Sequence, residues 1–105
     1  MPQRNAYTFR RSEKRIPMEI PVILDGHLQI PGAENTFTEN VSPRGARVVS
    51  IRPWEKGARL MLASRTGEFR SSARVAYCQP MRGDGYVVGL EFLEPQGRWV
   101  VESAN

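Results

Sequence analysis

Residues 69–92 read FRSSARVAYCQPMRGDGYVVGLEF. Taken every second residue, Phe69, Ser71, Ala73, Val75 and Tyr77 share one face, with Arg70, Ser72 and Arg74 opposite. After Arg82-Gly83-Asp84-Gly85 the alternation resumes, with Tyr86, Val88, Leu90 and Phe92 on one side and Gly89 and Glu91 on the other. A side-chain period of two marks a strand with one face in a core. The Gly-rich quartet between the two runs reads as a hairpin loop. The last two long strands are therefore expected to form an antiparallel hairpin.

The same pattern extends upstream. Met18, Ile20, Val22 and Leu24 alternate, and turn signals recur at Asp25-Gly26, Pro31-Gly32, Ser42 to Gly45, Pro53 to Gly57 and Thr66-Gly67. Short alternating runs between closely spaced turns predict an antiparallel barrel or sandwich. A closed barrel is favoured because it leaves no exposed strand edge. The one helix candidate is Gln96 to Ala104, short and without a long apolar stripe. The start of the chain differs from the rest: it is polar, rich in arginine, and carries only Tyr7 and Phe9 as aromatics. Residues 1–15 are expected to form a flexible arm and residues 16–105 a single barrel domain.

Composition narrows the function. The chain has 105 residues, room for one modest core and not for a large catalytic cavity. Its formal net charge of +4 attracts an anionic partner but is weak beside dedicated nucleic-acid binders. Thirteen arginines stand against two lysines. A guanidinium is a planar fork that grips phosphate or a guanine edge in two places, although a GC-rich genome also enriches arginine. Cys78 is the only cysteine, which suits a reducing compartment, and it reads as a small hydrophobe in an apolar run. Without an apolar signal core or a membrane-spanning run, the expected location is the cytoplasm.

Enzymatic readings fail on the inventory. His27 is the only histidine, too few for a multi-histidine metal site, and its place after Asp25-Gly26 reads as a solvated turn. There is no phosphate-cradling P-loop and no nucleophile elbow. Glu91 and Glu94 are spaced to point apart or into a turn, not to work as an acid–base pair. The chain is expected to be a binder, with no catalytic residues, metal or cofactor.

Two short motifs remain. Arg10-Arg11-Ser12-Glu13-Lys14-Arg15 precedes the first expected strand. Asn40-Val41-Ser42-Pro43-Arg44-Gly45 leads into apolar Ala46, Val48 and Val49. Arginines four apart recur elsewhere, as at Arg70 and Arg74, and Ser-Pro-Arg-Gly is in itself a good type I turn. Together, at this separation, they resemble the PilZ domain family. That family carries RxxxR just before its first strand and [D/N]xSxxG farther on, at a strand junction. Arg11 and Arg15 fill the first pattern, and Asn40, Ser42 and Gly45 fill the second. The run from Gly85 to Phe92 also resembles the family's closing strand. The resemblance spans roughly residues 8–95 and implies a six-stranded antiparallel β-barrel that binds cyclic di-GMP.

The chemistry of that ligand suits these residues. Cyclic di-GMP presents two guanines and two phosphodiesters on one ring. Arg11 and Arg15 can take the O6/N7 edge of guanine, stack on the base, or clamp phosphate. Asn40 is expected to read the remaining polar edge through its amide oxygen. Ser42 can donate to phosphate or to a ring nitrogen. Gly45 either ends the turn with positive φ or lets the ligand approach the backbone. Arg44 adds charge or is simply solvated. Arg10, a third arginine beside the pair, favours an intercalated ligand dimer, which carries four charges rather than two. The expected output runs through an unidentified downstream protein. The alternatives are a PilZ-like interaction module that acts without nucleotide, and a basic barrel for single-stranded nucleic acid. The second ranks last because Tyr7, Phe9 and Trp54 do not cluster as a stacking groove in sequence.

Overall fold

The computed structural model describes residues 14–102. Arg10 and Arg11, most of the proposed arm, and the end of the helix candidate lie outside the described residues. Eight strands follow in chain order: β1 (Ile16–Pro17), β2 (Pro21–Asp25), β3 (Glu34–Ser42), β4 (Gly45–Ser50), β5 (Arg59–Ser64), β6 (Phe69–Pro80), β7 (Tyr86–Phe92) and β8 (Gln96–Gly97). The order β3-β2-β5-β6-β7-β4 closes through a β3–β4 pairing into a six-stranded antiparallel barrel. β1 and β8 are short additions on β3 and β6.

Alternation explains the core. Val22, Leu24, Val41, Val48, Leu62, Ala73, Val75 and Val88 point inward and are fully buried or nearly so. Met18 and Ile20 pack against them from the chain ahead of β2. β1 and β2 lie along the same edge of β3, and buried Thr38 fills the gap between them. Its Oγ1 accepts from Ile20 N at 2.9 Å and donates to Met18 O at 2.6 Å. That pair of bonds satisfies backbone groups which the interrupted strand would leave orphaned. It also fixes the direction in which the chain approaches from Arg15.

Polar side chains inside the barrel are matched with care. Glu34, 6 % exposed, accepts from Ser50 Oγ at 2.7 Å and from Ile51 N at 2.8 Å. Ser50 Oγ in turn accepts from Trp54 Nε1 at 3.1 Å. An unpartnered buried hydroxyl or amide already costs about 2–7 kcal/mol, and an unpartnered buried carboxylate costs more. The hairpin between β6 and β7 forms as its sequence suggests, closed by Met81 N donating to Gly85 O at 2.9 Å.

Three expectations need correction. The stretch from Gln96 does not form a helix within the described residues. Gln96 and Gly97 pair instead with Arg70 and Phe69, and Arg98 N donates to Glu68 O at 2.7 Å. Gly97 adopts φ +91°, and a Cβ there would collide with the Glu68 carbonyl oxygen. Trp99 then turns into the barrel end, where its ring centre lies 4.6 Å from Phe69 and 5.1 Å from Phe92. Burying that indole against two phenyl rings outweighs a nine-residue helix, which is marginal in water at such a length.

The second correction concerns Tyr77. A register shift between Val75 and Tyr77 consumes one residue of β6. The period of two slips by one, so Tyr77 leaves the face it was expected to share with Val75. Cys78 takes the place against the core and its Sγ accepts from Trp54 N at 3.5 Å. His27 is also more than a solvated turn residue. It is half-buried edge-on to Trp54, its Nδ1 accepts from Ile30 N at 3.0 Å, and Nε2 lies 2.8 Å from Pro53 O. The neutral tautomer carrying its proton on Nε2 satisfies both contacts.

Candidate functional site

β3 ends in Ser42, β4 begins at Gly45, and Pro43-Arg44 make the two-residue connection, with Ser42 opposite Gly45. This turn sits at one end of the barrel, beside β1 and the buried Trp99. Trp99 Nε1 donates to the Ser42 carbonyl oxygen at 2.9 Å and holds the turn from inside.

The residues of the two motifs divide between outward and inward positions. Arg15 is exposed and its Nη1 donates to Asn40 Oδ1 at 3.0 Å. Because a guanidinium only donates, the amide oxygen of Asn40 must face it. The expected reading of guanine by that oxygen therefore shares it with Arg15. The NH2 group of Asn40 remains a donor for an acceptor edge. Arg44 is exposed, and its carbonyl oxygen accepts from Phe92 N at 2.8 Å.

Ser42 and Gly45 face the protein. Ser42 is 4 % exposed and its hydroxyl makes a long contact of 3.5 Å to Gly45 O. Gly45 does not take the positive φ that was one of its two expected roles. A Cβ there would stand well inside contact with the Leu90 carbonyl oxygen of β7, so this glycine lets β4 lie close against β7. Its requirement is packing between backbones.

Strand register adds residues that the motifs did not contain. Asn40 is opposite Arg47, Arg47 is opposite Gly89, and Gly89 is opposite Tyr77. These four form one outward row across β3, β4, β7 and β6. The Tyr77 ring lies over Gly89, where any Cβ would meet Cδ2, Cε2 and Cζ of the ring. Arg47 Cζ is 6.0 Å from the ring centre, and Arg47 Nε pairs with Glu39 Oε1 at 3.1 Å. A planar aromatic and a cation thus stand beside Asn40 on the outside of the barrel. Sequence reading missed both because it placed Tyr77 inside. Gly89 within an otherwise apolar strand was the available signal, since such a glycine marks a close approach.

Among the described residues, no group of three or more His, Cys, Asp or Glu side chains gathers to hold a metal, and no helix is long and apolar enough to cross a membrane.

Comparison with known proteins decides the family. The PilZ domain matches residues 9–98, most of the chain. The chain belongs to the PilZ domain family. Among solved structures, this PilZ chain is similar to the Bacillus subtilis Inhibitor of motility (MotI/DgrA), with a TM-score of 0.67 and 21 % identity. The match covers 81 % of this chain and 43 % of that one, so the PilZ domain here spans less than half the length of its structural relative. At that identity the likeness supports the barrel fold. No curated protein matches the sequence.

Proposed function

We propose that this PilZ domain is a cytoplasmic receptor for cyclic di-GMP, signalling through a protein partner rather than catalysing a reaction. The observation that carries the reading is the bond from Arg15 Nη1 to Asn40 Oδ1. It brings together two motifs that lie 25 residues apart in sequence, at the mouth of a turn on the outer surface. A guanidinium has five donors, so the bond to Asn40 leaves Arg15 others for a guanine edge or a phosphodiester. Arg11, and Arg10 beside it in sequence, would add further guanidiniums for the same ligand. Ser42 and Gly45 shape the turn, and Arg44 supplies charge at its tip.

The aromatic row extends this reading. Tyr77 offers an aromatic surface for a guanine, and Arg47 lies over its ring with Cζ 6.0 Å from the centre. Aromatic stacking contributes about 0.5–1.5 kcal/mol beyond burial, roughly two- to twelvefold in affinity. Tyr77→Ser is expected to weaken cyclic di-GMP binding by about that factor, and calorimetry of the variant beside wild type measures it. Unchanged affinity would remove Tyr77 from the site.

A calorimetric titration with cyclic di-GMP, GMP and a short single-stranded oligonucleotide tests the function as a whole. Heat with cyclic di-GMP alone supports the receptor. Heat with the oligonucleotide instead favours a nucleic-acid barrel, and silence with all three favours an interaction module that needs no nucleotide. The same titration bears on Arg10. Two ligands per chain, falling towards one in Arg10→Leu, supports a stacked ligand dimer; one ligand in both proteins ends that idea. For the output, the relative's description as an inhibitor of motility makes a motility component the partner class to try first.

A further inference from the structure

The far end of the barrel carries a second surface. β3 runs from Glu34 to Ser42, so the loops at 26–33 and 51–58 lie at the opposite end from the turn at 42–45. Three of the large apolar side chains exposed on this chain sit there: Leu28 at 98 % exposure, Ile51 at 75 % and Ile30 at 40 %. Leu28 stands at the lip of a mainly apolar groove of about 390 Å³ whose lining includes His27, Trp54 and Ala58. Solitary exposed leucines are ordinary, but a fully exposed one beside an apolar groove and two isoleucines is not.

The loops that carry this surface are tied in place. Arg52 Nη1 donates to Ile30 O at 3.2 Å and to Gly32 O at 2.9 Å. His27 bridges to Pro53 O across the gap between the two loops. A surface held in shape beforehand loses little entropy on docking.

Charge on the same rim identifies the occupant. Glu55 and Arg59 both line the groove, and neither forms an ion pair among the described residues. Arg59 lies directly across from Arg74, whose guanidinium is already matched by Glu91 at 2.7 Å. Facing a like charge across the strands, Arg59 has no carboxylate partner among the described residues. An exposed apolar side chain, an apolar groove, and an anion and a cation without ion-pair partners among the described residues make this patch self-complementary, as a two-fold interface is, where each copy presents both halves of every contact.

We infer that this end of the barrel binds a second copy of the chain, with Leu28 of each copy seated in the groove of the other and Glu55 of each facing Arg59 of the other. The patch is small, so the dimer forms and dissociates with concentration. It lies away from Asn40 and leaves the proposed nucleotide site open on both copies.

Sedimentation equilibrium across a dilution series tests this. The mass of the wild type should rise from 11.9 kDa towards twice that value. Leu28→Asp should stay monomeric and unfold at the temperature of the dilute, monomeric wild type, because the side chain contributes nothing to the core. Glu55→Arg and Arg59→Glu alone should each weaken association by bringing like charges together. The double exchange should restore it. A wild type that remains monomeric at the highest concentration overturns the proposal and leaves the groove to a different protein. So does a mass curve that Leu28→Asp does not change, or a double exchange that fails to recover what the single ones lose. Cyclic di-GMP titration of Leu28→Asp should match the wild type, so failure of this interface and failure of the receptor reading are told apart.

Discussion

Replacing Arg15 with alanine is expected to weaken cyclic di-GMP binding by about one to two decades and leave the unfolding temperature of the free protein unchanged. The guanidinium is exposed, and its bond to Asn40 lies at the surface. Substitutions at such positions usually change stability by less than about 0.5 kcal/mol. In the proposed complex the same group would make charge-assisted hydrogen bonds, each worth about 1.5–3 kcal/mol. The two effects therefore separate cleanly. Arg11→Ala should behave alike, and Asn40→Ala should cost less, because an amide forms neutral rather than ionic bonds. Isothermal calorimetry and thermal unfolding of the three variants measure both sides. A variant at Arg15 that unfolds well below the wild type would make this arginine structural, and the receptor reading would lose its central residue.

Where side-chain period alone decides structure, the sequence was legible. Val88, Leu90 and Phe92 face inward as the alternation of β7 requires, and Phe69 to Val75 do the same in β6. The loop at 81–85 was legible from its two glycines, which take φ values of +88° and +104°. What could not be read were events that depend on a neighbour. A bulge after Val75 is invisible to a count of alternating residues, so Tyr77 was assigned to the core and the outward row with Arg47 was missed. The stretch from Gln96 contains nothing that forbids a helix until Phe69 and Phe92 offer Trp99 a place to dock. The turn motif shows the same limit at closer range. Ser42 and Gly45 were recognisable as a pair, but their sequence cannot tell a residue that touches a ligand from one that lets two strands meet. Only the Leu90 carbonyl oxygen, 45 residues away in the chain, makes that distinction for Gly45.

That distinction has a measurable consequence. Gly45→Ala is expected to destabilise the barrel by about 1–3 kcal/mol, the range for an overpacked interior. The upper end applies here, because the added Cβ meets a backbone oxygen that no rotamer change can move. Each kcal/mol corresponds to about 4–8 °C in unfolding temperature for a domain of this size. Relief would require β4 and β7 to part beside the bond from Phe92 N to Arg44 O. Gly89→Ala provides the contrast. There the obstacle is the Tyr77 ring, a side chain that can swing away, so the loss should be smaller and should shrink further in a Tyr77→Ser background. Gly45→Ala should show no such recovery in that background, since its clash does not involve the ring. Thermal unfolding of the single and double variants forms the two cycles, in which coupling appears only for residues in contact. A Gly45→Ala protein that unfolds at the wild-type temperature yet no longer binds cyclic di-GMP would reverse the assignment. The glycine would then be keeping space for the ligand, and the close passage of β4 against β7 would be incidental to it.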